Sequence, residues 1–222
     1  MTARPRRAPQ PEARLRDAER SRRLLLDAGL HEFADKGYAG ARVQDIADRA
    51  GVNKQLINYY FGGKDGLYRE LCRRWHEREA VIDDPEVPLA EVVVRYLRAT
   101  LTPPFPARLT LWQALGGDAP APVPDDDMTR MRHRQESGEL PDDLEPEALL
   151  LAVMGMVLAP VAMPQVAARY LGAEPGTAEF EQRYGDQLRR MVRRLTAQPV
   201  APADPPASSC DRAPDGTPLP AG

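Results

Sequence analysis

Very little in this sequence speaks for catalysis, secretion or a membrane span. Its 222 residues include two cysteines, Cys72 and Cys210, too few and too far apart for a disulfide framework, which fits a reducing compartment. The basic N-terminal segment lacks the apolar core of a signal peptide, its first apolar run being Leu24 to Leu26, so a cytoplasmic protein is expected. The longest apolar stretch, Ala148 to Met163, is 16 residues and contains Pro160. A bilayer span needs about 20, so this stretch reads as a buried helix. Phosphate-binding loops and dinucleotide fingerprints are missing. His31, His76 and His133 form no motif with a serine or cysteine nucleophile, and the pairs Asp83-Asp84 and Asp142-Asp143 lie beside prolines in expected loops. Cys72 and His76, four apart on a predicted helix, supply two ligands where a structural metal site needs about four. No enzymatic activity, metal or cofactor is therefore expected. The period-two alternation of a strand is also missing, and no internal repeat occurs.

Lysine is scarce too, with only Lys36, Lys54 and Lys64, so arginine carries most of the positive charge. The net charge of −3 is unpromising for a phosphate-binding protein, but it averages two unlike parts. Residues 1–80 hold 17 Lys and Arg against 12 Asp and Glu, a balance of +5, and the remainder carries 13 against 21, a balance of −8. The basic part is where nucleic acid could bind. The 23 prolines concentrate in linkers and at the C-terminus.

Residues 1–16, rich in Arg and Pro without periodicity, are predicted to be a flexible basic arm. From Asp17 the pattern is helical, with Leu26, Leu30 and Phe33 on one stripe and Gly37 as the stop. Val43, Ile46, Ala47 and Ala50 predict a short helix ended by Gly51. Ile57, Tyr60 and Phe61 predict another, starting near Asn53, whose side chain is a good N-cap. Two short helices joined by a glycine turn form the helix-turn-helix outline. Ala47 is small enough for a close crossing, and Gly51 tolerates positive φ. Gly62-Gly63 makes a turn, and Lys64 opens a longer helix to Val81, an unfavourable charge at a helix N-terminus unless a phosphate lies nearby. Further helices are predicted from Leu89 to Thr100, Leu109 to Leu115, Asp125 to Ser137, Pro146 to Ala159 with a break at Pro160, on to Leu171, and Ala178 to Ala197.

The run LLDAGLHEFADKGYAGARVQDIADRAGVNKQLINYYFGGKDGLY resembles the TetR family of bacterial transcriptional regulators. The resemblance implies an all-α fold: a three-helix DNA-binding head with the helix-turn-helix, and a larger helical body for ligand binding and dimerisation. The corresponding division is arm 1–16, head 17–63, body 64–198 and a disordered Pro-rich tail 199–222. It implies a homodimer on a palindromic double-stranded operator, most simply a repressor released by a small-molecule effector. The alternatives are control by a protein partner, no effector, or an enzyme on a helical scaffold. By position, Arg42 and Gln44 at the start of the second helix, Lys54, Gln55, Leu56, Asn58 and Tyr59 on the recognition helix, Tyr60 and Lys64 would meet DNA. Asn58 stands where an aromatic is commoner, and Gln55-Leu56 replace a small pair. Glu32 takes a usually apolar place on helix one, which implies a solvated or salt-bridged outer face there. Tyr96, Phe105, Trp112, Met128, Met131 and Met154 are the candidates for an effector pocket. The apolar helix at 148–159 and the last helix, with Phe180 to Leu195, are candidates for the dimer interface or for monomer core.

Overall fold

The computed structural model describes residues 11–116 and 125–197. The remaining residues, including most of the expected arm, the expected tail and Cys210, lie outside this description. Among the described residues there are ten helices and no strand: α1 (Pro11–Gly40), α2 (Val43–Ala50), α3 (Gln55–Phe61), α4 (Lys64–Ile82), α5 (Leu89–Leu101), α6 (Phe105–Gly116), α7 (Asp125–Glu136), α8 (Pro146–Ala162), α9 (Pro164–Leu171) and α10 (Ala178–Leu195). The chain is all-α, as its periodicity requires. Helix α1 begins at Pro11, so residues 11–16, expected in the arm, are helical. Proline is favoured at a first helical position because its missing N–H is one that no helix start uses.

Helix α5 is the centre of the body. Val92, Val93, Leu97 and Leu101 are buried, and α10 lies along α5 with α8 on another side. Leu149, Val153 and Val157 of α8 and Phe180, Leu188 and Val192 of α10 complete that core. Both helices nominated as core or interface thus give one face to the core. Each also leaves apolar side chains outside: Leu151 is 72% exposed, and Met191 and Leu195 are exposed on α10.

Pro160 does not end α8, which continues through it to Ala162. A proline removes the N–H that would bond the carbonyl four residues back, here Met156. The Tyr184 hydroxyl of α10 donates to that Met156 carbonyl at 2.8 Å. The break is thereby satisfied from a neighbouring helix, and burial holds the Tyr184 hydroxyl above its ordinary pKa.

A second core lies under the head, built from Leu25, Phe33, Ile46, Ala47 and Ile57 of the first three helices. It does not stop at residue 63. Leu67 and Leu71 of α4 and Leu109 of α6 are part of it, so the expected boundary falls at a turn of the chain rather than at a break in packing. Helix α6 starts four residues earlier than predicted, and its first half meets α1: the His31 and Phe105 rings pack with centroids 3.9 Å apart. Further along, Trp112 Nε1 donates to the Ala34 carbonyl at 3.0 Å. Its indole covers the kink at Gly37, where φ is +68° and a Cβ would come within 3.1 Å of the ring.

Removing the Tyr184 hydroxyl should leave a half-buried carbonyl unbonded. Tyr184→Phe should cost about 1–2 kcal/mol in denaturant unfolding. In a Pro160→Ala background, where an N–H becomes available for the same carbonyl, that cost should fall to less than half, as a double-mutant cycle would show.

Candidate nucleic-acid interface

Helix α2 ends at Gly51 in the left-handed conformation, φ 65°. The Val52 amide turns back to donate to the Ala47 carbonyl at 3.1 Å, which fixes the turn before α3. Asn53 does accept an amide, that of Gln55 at 2.8 Å, but the first helical residue is Gln55, later than predicted, with Lys54 at the cap position. Ile57 is fully buried and Leu56 and Tyr60 pack against the head core. The other side of α3 is bare: Gln55 and Asn58 are exposed, and Tyr59 is 78% exposed, standing edge-on to Tyr60. Of the nine residues nominated from sequence, Leu56 and Tyr60 are therefore divided between packing and surface.

The cations occupy helix ends. Arg42 is the residue before α2, exposed and making no side-chain cap, and Gln44 beside it is exposed and bonded to Asp48 at 2.8 Å. Lys54 precedes α3 and is exposed. Lys64 opens α4, half-buried, with its ammonium 4.4 Å from the centre of the Tyr38 ring. That ring offsets the unfavourable helix dipole, a stabilisation that spacing alone does not reveal.

Three devices hold this surface in place. Gly66 sits so close to the end of α3 that a Cβ there would lie 1.6 Å from the Phe61 carbonyl oxygen, so the α3–α4 turn depends on its absence. Glu32 is buried, not solvated, and is salt-bridged to Lys36 at 2.7 Å and to Arg49 of α2 at 3.1 Å. Lys36 also meets Asp45 at 2.8 Å, so α1 and α2 are locked by charge. Glu70 of α4 meets Arg22 of α1 at 2.7 Å, and Arg22 also lies over the Phe61 ring at 5.4 Å.

In the body, a cavity of about 110 Å³ lies among α4, α5, α6, α7 and α8. Of the residues nominated for an effector pocket, Tyr96, Met131 and Met154 line it. Phe105 and Trp112 do not, because α6 turns them toward α1, where His31 and the Gly37 kink take their rings. Met128 is half-buried and also outside its lining. Trp75, Glu79, Val92, Val93 and Thr110 line it unforeseen, since no periodicity tells which side of a buried helix faces a void. Glu79 is pushed up to about 7 by burial and by Asp127 opposite, and Tyr96 is raised by burial and the same acids. The Asp83 carboxylate is held by Arg130 at 3.1 Å and Arg134 at 3.3 Å, a structural pairing. Burial raises the Cys72 thiol, and the Gln113 side-chain amide lies 3.9 Å from its sulfur.

A buried scaffold, a left-handed glycine turn and a short helix with one bare polar face define a helix-turn-helix DNA-binding protein. Residues 25–71 match the profile of bacterial regulatory proteins of the tetR family, and residues 88–194 match the tetracyclin repressor-like C-terminal domain. The HTH-type transcriptional repressor SCO4008 of Streptomyces coelicolor is 28% identical over 191 residues, 81% of this chain and 97% of the relative. The HTH-type transcriptional regulator RutR of Escherichia coli K12 is 31% identical over 124 residues, 52% of this chain and 57% of the relative. The crystal structure of Streptomyces coelicolor SCO4942 shares the fold at a TM-score of 0.63 and 23% identity, covering 77% of this chain and 97% of that one. The chain belongs to the TetR family of bacterial transcriptional regulators, and it is a DNA-binding regulator of transcription. Among the described residues, no single helix is long and apolar enough to cross a membrane.

Glu70 carries a pH dependence. Its bonds to Arg73, Arg22 and Arg74 bring the carboxyl down to about 2, below the ordinary value of 4.5. A depressed folded-state value stabilises the fold above pH 4.5 and loses that contribution as pH falls through about 2. With three partly exposed arginines the contribution is on the order of 1–2 kcal/mol. Glu70→Gln should lose that amount at pH 7, and the gap to wild type in urea unfolding should close as pH approaches 2.

Proposed function

We propose that this protein is a homodimeric repressor that places α3 of each protomer in a major groove and is released from its operator by a small molecule bound in the body. The observation that carries the DNA reading is the bare polar face of α3, Gln55, Asn58 and Tyr59, flanked by Arg42, Lys54 and Lys64 at helix ends. Hydrogen-bonding side chains on such a face read base edges, and cations at the helix ends meet phosphates and set register. Gln44 joins the phosphate set. Leu56 and Tyr60 support the helix from below while offering the edges of their side chains. Two copies would read half-sites about one turn, ~34 Å, or a larger matching spacing apart.

The dimer reading is supported by Leu151, Met163, Tyr170, Met191 and Leu195, all exposed apolar side chains on or beside α8, α9 and α10. A face of that kind is buried against a second copy in most symmetric dimers. The effector reading is supported by the place of α6. Ala107 and Thr110 line the body cavity, and Leu109 and Trp112 of the same helix pack on α1. A ligand that binds one position of α4 and α6 better than another shifts the heads by that difference in affinity. On this reading residues up to α3 form the reading head, and α4 onward forms the sensing and dimerising body.

Lys64→Ala should weaken binding to all DNA sequences about equally and lower the salt slope by about one. Asn58→Ala should instead relax preference at particular base pairs, measured by fluorescence anisotropy on the region upstream of the gene and on scrambled DNA. Unchanged affinity in both variants would remove these residues from the interface. In sedimentation, Leu151→Asp should convert dimer to monomer while circular dichroism stays helical. A dimer that persists would move the interface elsewhere.

A further inference from the structure

The body cavity is chemically lopsided. Its walls are apolar, with Val92, Val93, Val153 and Val157 among them, and its aromatic side chains are Trp75 and Tyr96. The charged residues that line it are Glu79, Asp83 and Asp127, with no lysine, arginine or histidine in the lining. Asp83 is neutralised by Arg130 and Arg134, and Asp127 shares Arg130 at 3.9 Å. Glu79 takes a side-chain hydrogen bond from Trp75 and has the His76 Nδ1 3.5 Å away, and Arg130 bears on it from further off. The cavity opens into a larger groove of about 580 Å³ with which it shares Trp75, Glu79, Thr110, Asp127 and Met154. The acids thus stand where a confined, largely apolar space meets a longer groove of mixed lining, whose basic side chains, Arg23, Arg74, Arg78 and His76, line the groove and not the inner cavity.

We infer that this cavity selects a lipophilic organic cation, its charged head beside Glu79 and Asp127 and against the Trp75 and Tyr96 rings, its apolar body along the α5 and α8 walls. This rests on the effector reading above and specifies its ligand class. A cation relieves the mutual repulsion of two carboxylates in a partly buried site and gains from the aromatic faces. An anion in the inner cavity would meet the carboxylates of Glu79 and Asp127, with no basic side chain in the lining to receive it. A neutral molecule of the same shape gains apolar burial but no charge interaction with Glu79 or Asp127.

Because burial and Asp127 raise Glu79 to about 7, cation binding must draw off its proton, so affinity rises with pH up to that midpoint and levels above it. The other ionisable groups facing Glu79 are His76 on its own helix, Asp83 after it, Tyr96 from α5, and Asp127 and Arg130 from α7. Arg23 and Asp27 of α1 lie across the groove.

Three probes with one chain length separate the terms: decyltrimethylammonium, decanol and decanoate, titrated calorimetrically into the full-length protein and tested for operator release. At pH 8 the cation should bind at least tenfold more tightly than decanol, and decanoate most weakly. Its affinity should fall toward tenfold per pH unit below 7. Glu79→Gln should lower cation affinity about tenfold, leave decanol unchanged, and flatten the pH profile. Decanol or decanoate binding as tightly as the cation would overturn the inference, as would a Glu79→Gln variant with unaltered cation affinity. A pH slope that persists in that variant would overturn the role of Glu79. Tight, Glu79-dependent cation binding without operator release would overturn the effector reading alone, and binding by none of the probes would overturn both.

Discussion

The first three helices present more apolar surface than they can bury among themselves, and Leu67, Leu71 and Leu109 close it from outside. A unit this small buries too little surface to be stable on its own core. The same three side chains that stabilise the head therefore also fix its position, because they come from helices that continue into the body. Helix α4 begins under the recognition helix and ends at the cavity, and α6 has Trp112 on the Gly37 kink and Thr110 on the cavity wall. Head packing and cavity shape are thus two ends of the same rigid elements.

Charge is distributed to match. The basic excess of the first 80 residues is partly used internally, since Lys36, Arg49 and Arg22 hold Glu32, Asp45 and Glu70 and so tie α1 to α2 and α4. Arg42 and Lys54 are exposed at helix ends. In the body the sign reverses. Residues 81–222 carry the acidic excess, and two of their carboxylates, Asp83 and Asp127, converge with Glu79 on one cavity. Relatives of the same class are regulators by name.

The helix-turn-helix was legible because it is local. Ala47, Gly51 and the 3.6-residue stripe through Ile46 and Ile57 fix two short helices and the turn between them within a dozen residues. The bare face of α3 follows from the same stripe, since what is not buried at that period must point outward. The cavity was half legible. Tyr96, Met131 and Met154 line it, whereas Met128, Phe105 and Trp112 do not; α6 is apolar on both sides, and its pattern cannot say which side meets α1. Pro160 was read as a break for the right local reason; the repair comes from Tyr184, 24 positions away in sequence, and no local rule contains it.

By itself, then, the sequence determined what depends on neighbours along the chain: ten stretches of helical period, the turn glycines, the basic residues 1–80 and the acidic residues 81–222, and the side of α3 left bare. Tertiary structure alone decided what depends on neighbours in space. It buried Glu32 between Lys36 and Arg49, laid the Tyr38 ring under Lys64, turned Trp112 toward the head, and gathered Glu79, Asp83 and Asp127 around one void. The physical reason is range: backbone geometry and hydrophobic period act over a few residues. A buried charge, a kinked helix or a cavity is stable only through partners that the chain brings back from far along its length.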